Sequence, residues 1–274
     1  PPPGRMDTAT AGARHPKGAA KPRKDPTAKS FLAALLESTV GGKILVALTG
    51  AGLTGFVVFH MIGNLKLLQG PDAINHYAYF LKHDLGALIW IARAGLLAIF
   101  VLHLALALRL AVRAAAARPV PYQVYAPVQA TPASRTMVYS GVVVGLFVLF
   151  HLAHYTFAWV KGAYVPDPVT GGTVYKNYLD LTDAKGRHDV YEMMVAGFRS
   201  TPLAAIYLVS QLVLFAHLSH GVQSAFQTLG LKNARFRGAI RGLGWLVAAA
   251  VLAGNVAIVL SVQLGYVKPQ YIVG

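Results

Sequence analysis

Gly42-Lys-Ile-Leu-Val-Ala-Leu-Thr-Gly-Ala-Gly-Leu-Thr-Gly-Phe-Val-Val-Phe-His60-Met-Ile-Gly-Asn-Leu-Lys-Leu-Leu68 decides the fold. Its only charges, Lys43 and Lys66, stand near its two ends. A helix needs about 20 mainly apolar residues to cross a bilayer, and this run is longer than that. Four more stretches of that kind follow, near 87–112, 137–160, 203–228 and 243–265, and none of the five contains Asp or Glu. The composition agrees: 55% of the 274 residues are hydrophobic and only 13% charged, where soluble domains carry about 25% charged residues. The expected fold is an all-α membrane protein with five transmembrane helices, four of them forming a bundle and the fifth packing beside it.

The remaining segments are short. Residues 1–29, rich in Pro, Ala, Lys and Arg, read as a disordered basic tail. The tail lacks the apolar centre of a secretory signal, and Met6 is a candidate start. Residues 30–41 hold Ser30-Phe-Leu-Ala-Ala-Leu-Leu-Glu37, an amphipathic segment expected to lie at the membrane surface. Residues 161–200 read as a long external loop, with 188–198 as a short surface helix. No internal repeat is strong enough to use.

The absence of cysteine excludes disulfides, thiolate-bound iron–sulfur clusters and thiol catalysis. The net charge of +15 is a matter of orientation rather than of nucleic acid. The tail and the segments near 109–135 and 229–241 carry fifteen Lys/Arg against three acids; the segments near 69–86 and 161–200, with the C-terminal tail, carry seven against seven. By the positive-inside rule the N-terminus faces the cytoplasm and the C-terminus the outside. Basic residues at membrane edges without interleaved aromatics do not make a nucleic-acid surface.

Six of the ten histidines fall inside these apolar stretches. Ionisable residues inside a bilayer are costly and usually mark function. His60, His103, His151 and His217 occupy four different spans. His154 and His220 follow two of them three residues later, on the same helix face. At about 1.5 Å per residue, His60 and His151 lie toward the outside and His103 and His217 toward the cytoplasm, two levels on the order of 10 Å apart. Histidine is the usual axial ligand of haem iron, so two bis-histidine haems fit this pattern. His154 and His220 could be ligands instead, or bind haem propionates or a quinone. Gly52, Gly55, Gly63, Gly95, Gly145 and Gly221 lie near these histidines, where small residues serve either a flat macrocycle or ordinary helix packing. Lys66 and Arg93 could pair with propionates or snorkel to the interface. Asp72 and Asp84, just beyond spans one and two, could accept protons from a quinol or be solvated loop acids.

At these residues the chain resembles the single-subunit dihaem cytochrome b anchor of succinate dehydrogenase or fumarate reductase (respiratory complex II). The resemblance covers about residues 30–265. It is carried by Phe59-His60-Met-Ile-Gly-Asn64, Val101-Leu-His103-Leu-Ala-Leu-Ala-Leu-Arg109, Ser134-Arg-Thr-Met137, Leu149-Phe-His151-Leu-Ala-His154, His217-Leu-Ser-His-Gly221 and Phe226-Gln-Thr-Leu-Gly230. It implies a proximal haem b on His103 and His217 and a distal haem b on His60 and His151, leaving His154 and His220 beside the ligands. It also implies a flavoprotein and an iron–sulfur subunit docked on the cytoplasmic face of a bacterial inner membrane, and a quinone, usually menaquinone, reacting near the distal haem. Some relatives carry a carboxylate in the fourth span; Phe215 and its neighbours offer none. The nearest alternatives are a cytochrome b of a hydrogenase, a formate dehydrogenase or a quinol–cytochrome c reductase, and, from another class, a haem-free transporter.

Overall fold

Why five helices form, and why they end where they do, is written in caps and breaks. The structure is a computed structural model describing residues 31–118, 120 and 130–272. The basic tail expected over 1–29 lies outside the described residues. Helix α1 (Phe31–Glu37) stops at Ser38, which caps α2 (Thr39–Asn64) by accepting the Gly41 N–H at 2.8 Å. The open carbonyls at the end of α1 are taken by two arginines. Arg109 donates to Leu36 and Glu37, and Arg113 donates to Glu37 at 2.8 Å. These arginines belong to α4 (Ala87–Ala116), so α1 is tied to the end of the second long helix.

After α2 the chain makes a 3₁₀ turn over Leu65–Gln69. It then turns at Gly70, whose φ of 102° favours glycine, and starts α3 (Pro71–Tyr79) with a proline in its first turn. Short α5 (Pro132–Arg135) leads into α6 (Met137–His151), which ends in a π-helical turn over Leu152–Thr156. An antiparallel hairpin follows, β1 (Gly162–Pro166) against β2 (Thr173–Asn177), with Tyr164 opposite Tyr175. Then come α7 (Val190–Arg199), α8 (Thr201–Thr228) and α9 (Arg237–Gln263).

Helices α2, α4, α6 and α8 close a ring in which each packs on the next and α8 returns to α2. Helix α9 packs outside the ring against α8 and α2. Among the described residues, five helical segments are long and apolar enough to cross a membrane: Thr39–Gln69, Ala87–Ala116, Met137–Thr156, Thr201–Thr228 and Arg237–Gln263. Large apolar side chains such as Trp90, Ile91, Leu97, Val101, Leu146 and Leu246 point outward, where a soluble protein would place charge. The protein is an all-α membrane protein with little sheet.

Sequential long helices run antiparallel. The starts of α2, α6 and α9 and the ends of α4 and α8 therefore share one end of the bundle, the tail face. The opposite end, the cap face, carries α3, the hairpin, α7 and the C-terminal residues. The expectation of a surface helix over 188–198 is corrected here: α7 is a core element, with every residue from Tyr191 to Phe198 buried. It packs against α3, β1, α8 and α9. The largest buried cluster runs through this cap and includes Leu67, Ile74, Tyr178, Val195, Phe198 and Val262. The segment 161–200 is thus a folded cap rather than a loop.

A polar network inside the cap joins α3, α7 and the C-terminal segment. Asp189 caps α7 by accepting the Glu192 N–H at 3.0 Å; it also accepts from Asn75 at 3.0 Å and from the Tyr271 hydroxyl at 2.9 Å. Asn75 in turn accepts the Tyr191 N–H at 3.0 Å. Glu192 accepts the backbone N–H of Gln270, which fastens the C-terminal segment to α7. At the cap surface Asp72 pairs with Lys185 and Arg187, each at 2.7 Å. The hydrogen bonds from these two cations hold the Asp72 carboxyl down at about 2. It stays ionised and engaged, which suits an anchoring acid better than a proton acceptor.

Candidate functional site

Five of the six intramembrane histidines, all but His220, contact a neighbouring helix of the α2–α4–α6–α8 ring, and hydrogen bonds bear on the tautomers of several. The Thr49 hydroxyl has one proton and donates it to the Leu45 carbonyl at 2.7 Å, so toward His103 Nδ1, 3.1 Å away, it can only accept. His103 Nδ1 also lies 3.2 Å from the Val46 carbonyl, which is an acceptor only. The proton is therefore on Nδ1, and Nε2 keeps a lone pair. His217 has the hydroxyl partner without, among the described residues, a backbone carbonyl beside it. Ser140 donates to the Met137 carbonyl at 3.0 Å and accepts from His217 Nδ1 at 3.1 Å. Metal-bound histidines in proteins characteristically donate their second ring N–H to such a partner.

On the cap side of the bundle, His60 and His151 meet directly, with ring centroids 5.7 Å apart and planes at 85°. Two imidazoles on one metal, with bonds of about 2 Å, have centroids roughly 6 Å apart, so a small adjustment admits a shared metal. His151 Nδ1 is 3.2 Å from the Tyr207 hydroxyl, and His154 Nδ1 is 3.0 Å from the same oxygen. One hydroxyl can donate to one nitrogen and accept from the other. If His151 keeps its Nε2 lone pair, it donates to Tyr207, and Tyr207 donates to His154. His60 differs: Asn64, one turn on, donates to His60 Nε2 at 3.1 Å, so that amide must swing away before Nε2 can bind anything else. Among the described residues, Nε2 of His103, His151 and His217 carries no hydrogen bond.

His103 and His217 lie within electrostatic reach of each other but make no ring contact among the described residues. Their level follows from their partners. His103 stands opposite Val46, Thr49 and Gly50 of α2, and His217 opposite Ser140 and Gly141 of α6. Ten residues separate Gly50 from His60, and ten separate Gly141 from His151. At 1.5 Å per residue the two levels are about 15 Å apart, wider than the 10 Å that span midpoints suggest.

His154 is fully buried, stacked on Tyr155 at 4.0 Å, and its Nε2 has no partner; the Tyr155 and Tyr178 hydroxyls nearby are also unpartnered. The π turn at the end of α6 brings His151 and His154 to the same phenol. His220, half-buried, carries no hydrogen bond among the described residues.

The other expected residues divide. Gly63 packs on Tyr77, Gly221 faces Met137, Gly52 faces Ile99 and Gly145 faces Leu104, so these four serve helix packing. Gly55 and Gly95 face open space. Lys66 lies over the Tyr77 ring at 5.7 Å and Arg93 over the Trp90 ring at 4.8 Å, cation–π contacts at the rim. The glycines that matter most at the histidines are two that sequence reasoning passed over. A Cβ on Gly50 would stand 3.0 Å from His103 Cε1, and one on Gly141 would stand 3.3 Å from His217 Cε1. Thr49, Ser140 and Tyr207 were passed over as well. Among the described residues no group of three or more His, Asp or Glu could hold a metal ion.

The fold defines a multi-pass α-helical membrane protein, with histidines at contacts between its helices. Comparison with protein-family models, with curated proteins and with solved structures finds no match for the chain.

Proposed function

We propose that this protein is the membrane anchor and electron-transfer subunit of a succinate:quinone oxidoreductase. Electrons would pass between an iron–sulfur partner subunit and a quinone through two haem b groups, one on His103 with His217 and one on His60 with His151. The observation that carries the reading is a closed helix ring with two histidine pairs at two levels, three of the four rings making no hydrogen bond at Nε2 among the described residues. Haem b, when bound, supplies one-electron chemistry whose potential follows axial ligation and burial.

The chain's own residues do the rest. His103 and His217 bind as neutral imidazoles, with Thr49 and Ser140 taking their Nδ1 protons. Tyr207 holds His151 and links it to His154. The buried cap packs around the π turn that carries His154, one turn beyond His151. A quinone, menaquinone in the branch that the sequence resembles, would react near that level. The basic tail-side segments point to the cytoplasmic face of a bacterial inner membrane and to docking of the flavoprotein and iron–sulfur subunits there. The nearest second reading is the cytochrome b of another quinone-linked oxidoreductase. Ligands spread singly over four helices disfavour the quinol–cytochrome c type, where they come in pairs along two.

A reduced-minus-oxidised visible spectrum of the purified protein tests the proposal. A b-type signal from two haems is expected, and its absence refutes haem binding. Replacing His103 with Ala should remove one haem and spare the other; retention of both would overturn the ligand assignment. Succinate-dependent quinone reduction by the complex, co-purified with its soluble subunits, separates this reading from other quinone-linked enzymes.

A further inference from the structure

Helices α2 and α6 carry the same residues at the same offsets. Helix α2 reads Thr49-Gly50, then Phe56-Val-Val-Phe-His60; α6 reads Ser140-Gly141, then Phe147-Val-Leu-Phe-His151. In each, a hydroxyl stands eleven residues before the histidine, a glycine ten before it and a phenylalanine four before it. Eleven residues at 3.6 per turn are about three turns, so hydroxyl and histidine share one face, roughly 16 Å apart along the axis. Both phenylalanines lie beside their histidine ring, Phe56 at 5.3 Å from His60 and Phe147 at 6.1 Å from His151. Both hydroxyls accept the Nδ1 proton of a histidine on the next helix of the ring, His103 on α4 and His217 on α8. Both glycines clear space for the Cε1 edge of that same ring.

The correspondence ends on the cap side. Tyr207 stands ten residues before His217; the equivalent position on α4, ten before His103, is Arg93. His151 therefore has a phenol partner, while His60 has only Asn64.

We propose that α2–α4 and α6–α8 are two copies of one ligand cradle, and that Thr49 and Ser140 are equivalent positioning residues orienting the two axial imidazoles of a single haem, the one on the tail side. The inference rests on the haem reading above. A hydroxyl bonded to its own helix carbonyl is ordinary in membrane helices. The specific feature is that this bond uses the hydroxyl's proton and leaves its acceptor aimed at a histidine, twice, at equivalent positions. Such a partner raises the basicity of a bound imidazole and fixes its plane. Each copy then works at both levels: its hydroxyl and glycine orient a ligand on the tail side, and its histidine binds on the cap side.

The test uses the full chain in detergent, with haem content, low-spin EPR and redox titration as readouts. T49V and S140A should each act on the same haem. Its retention should fall roughly 10–100-fold, its midpoint potential should rise because a less basic imidazole favours the oxidised iron less, and its g-values should change. T49S and S140T should behave as the parent. The cap-side haem should keep its signal in all four variants, which also verifies that they fold. Unchanged signals in T49V and S140A, effects on two different haems, or equal loss of both haems would each overturn the proposal. A parent protein without haem would instead overturn the haem reading beneath it.

Discussion

Replacing Tyr207 with Phe removes one oxygen and tests the cap-side histidines. The ring should stay in place. It packs against Phe147 at 5.2 Å, Phe198 at 5.1 Å, Tyr155 at 5.8 Å and Phe150 at 5.9 Å, and none of these contacts needs the hydroxyl. What is lost is the partner of two nitrogens, His151 Nδ1 and His154 Nδ1. Hydrogen bonds in membrane proteins contribute about 0.6 kcal/mol on average and up to about 1.7 kcal/mol. His154 is fully buried and its Nε2 already lacks a partner, so it takes the upper figure. His151 is half-buried and takes the average. The sum is about 2 kcal/mol of lost stability. Denaturant unfolding of the purified protein in detergent measures this, and redox titration should show the midpoint of the His60–His151 haem moved while the other stays. A loss below about 0.5 kcal/mol with both midpoints unmoved would refute the reasoning, because the shared phenol would then hold neither histidine.

Two further predictions concern the cap. Alanine at Gly197 would place its Cβ 2.3 Å from the Tyr155 hydroxyl and 3.1 Å from His154 Cε1. Overpacking of this kind costs about 1–3 kcal/mol, although alanine in a helix otherwise gains about 1 kcal/mol over glycine; net stabilisation in the same unfolding assay would show that the site has room. Glu192 is buried, and desolvation raises its carboxyl to about 7. Because the folded value lies above the ordinary one, its favourable contribution is full below pH 4.5 and is lost as pH rises through about 7. E192Q should therefore gain on the parent across that window, by about 3 kcal/mol at its alkaline end. His188 works in the opposite sense, since burial lowers it to about 4, so the two proteins are compared at each pH. A stability difference independent of pH would refute the assignment.

The spans were legible because each is long, apolar and free of acids, and a bilayer penalises any other solution. The four candidate ligands were legible because an ionisable residue stands out in such a run. The cap was not. Residues 188–198 form a short stretch with His188, Asp189 and Glu192 near its start, which suits a surface helix, and only packing against α3, β1, α8 and α9 shows them buried. The Asn75–Asp189–Tyr271 network joins residues far apart in the chain, and nothing local marks it. Thr49, Gly50, Ser140 and Gly141 do have a local signal, the repeated Phe-Val-x-Phe-His with a hydroxyl and glycine at fixed offsets before it. It stays faint because Thr, Ser and Gly are common in membrane helices, and it gains meaning only when a neighbouring histidine is seen against them.

The sequence alone determined that this protein is a bundle of five membrane helices carrying histidines at two depths, since length, apolarity and 1.5 Å per residue are properties of single helices. Tertiary structure decided that His103 and His217 carry their proton on Nδ1, because that depends on Leu45, Met137 and Val46 atoms brought in from other turns and other helices. It also decided that the levels stand about 15 Å apart, since only contact between helices shows which turn of α2 faces His103. Axial register and hydrogen-bond direction are relations between helices, and no single stretch of chain contains them.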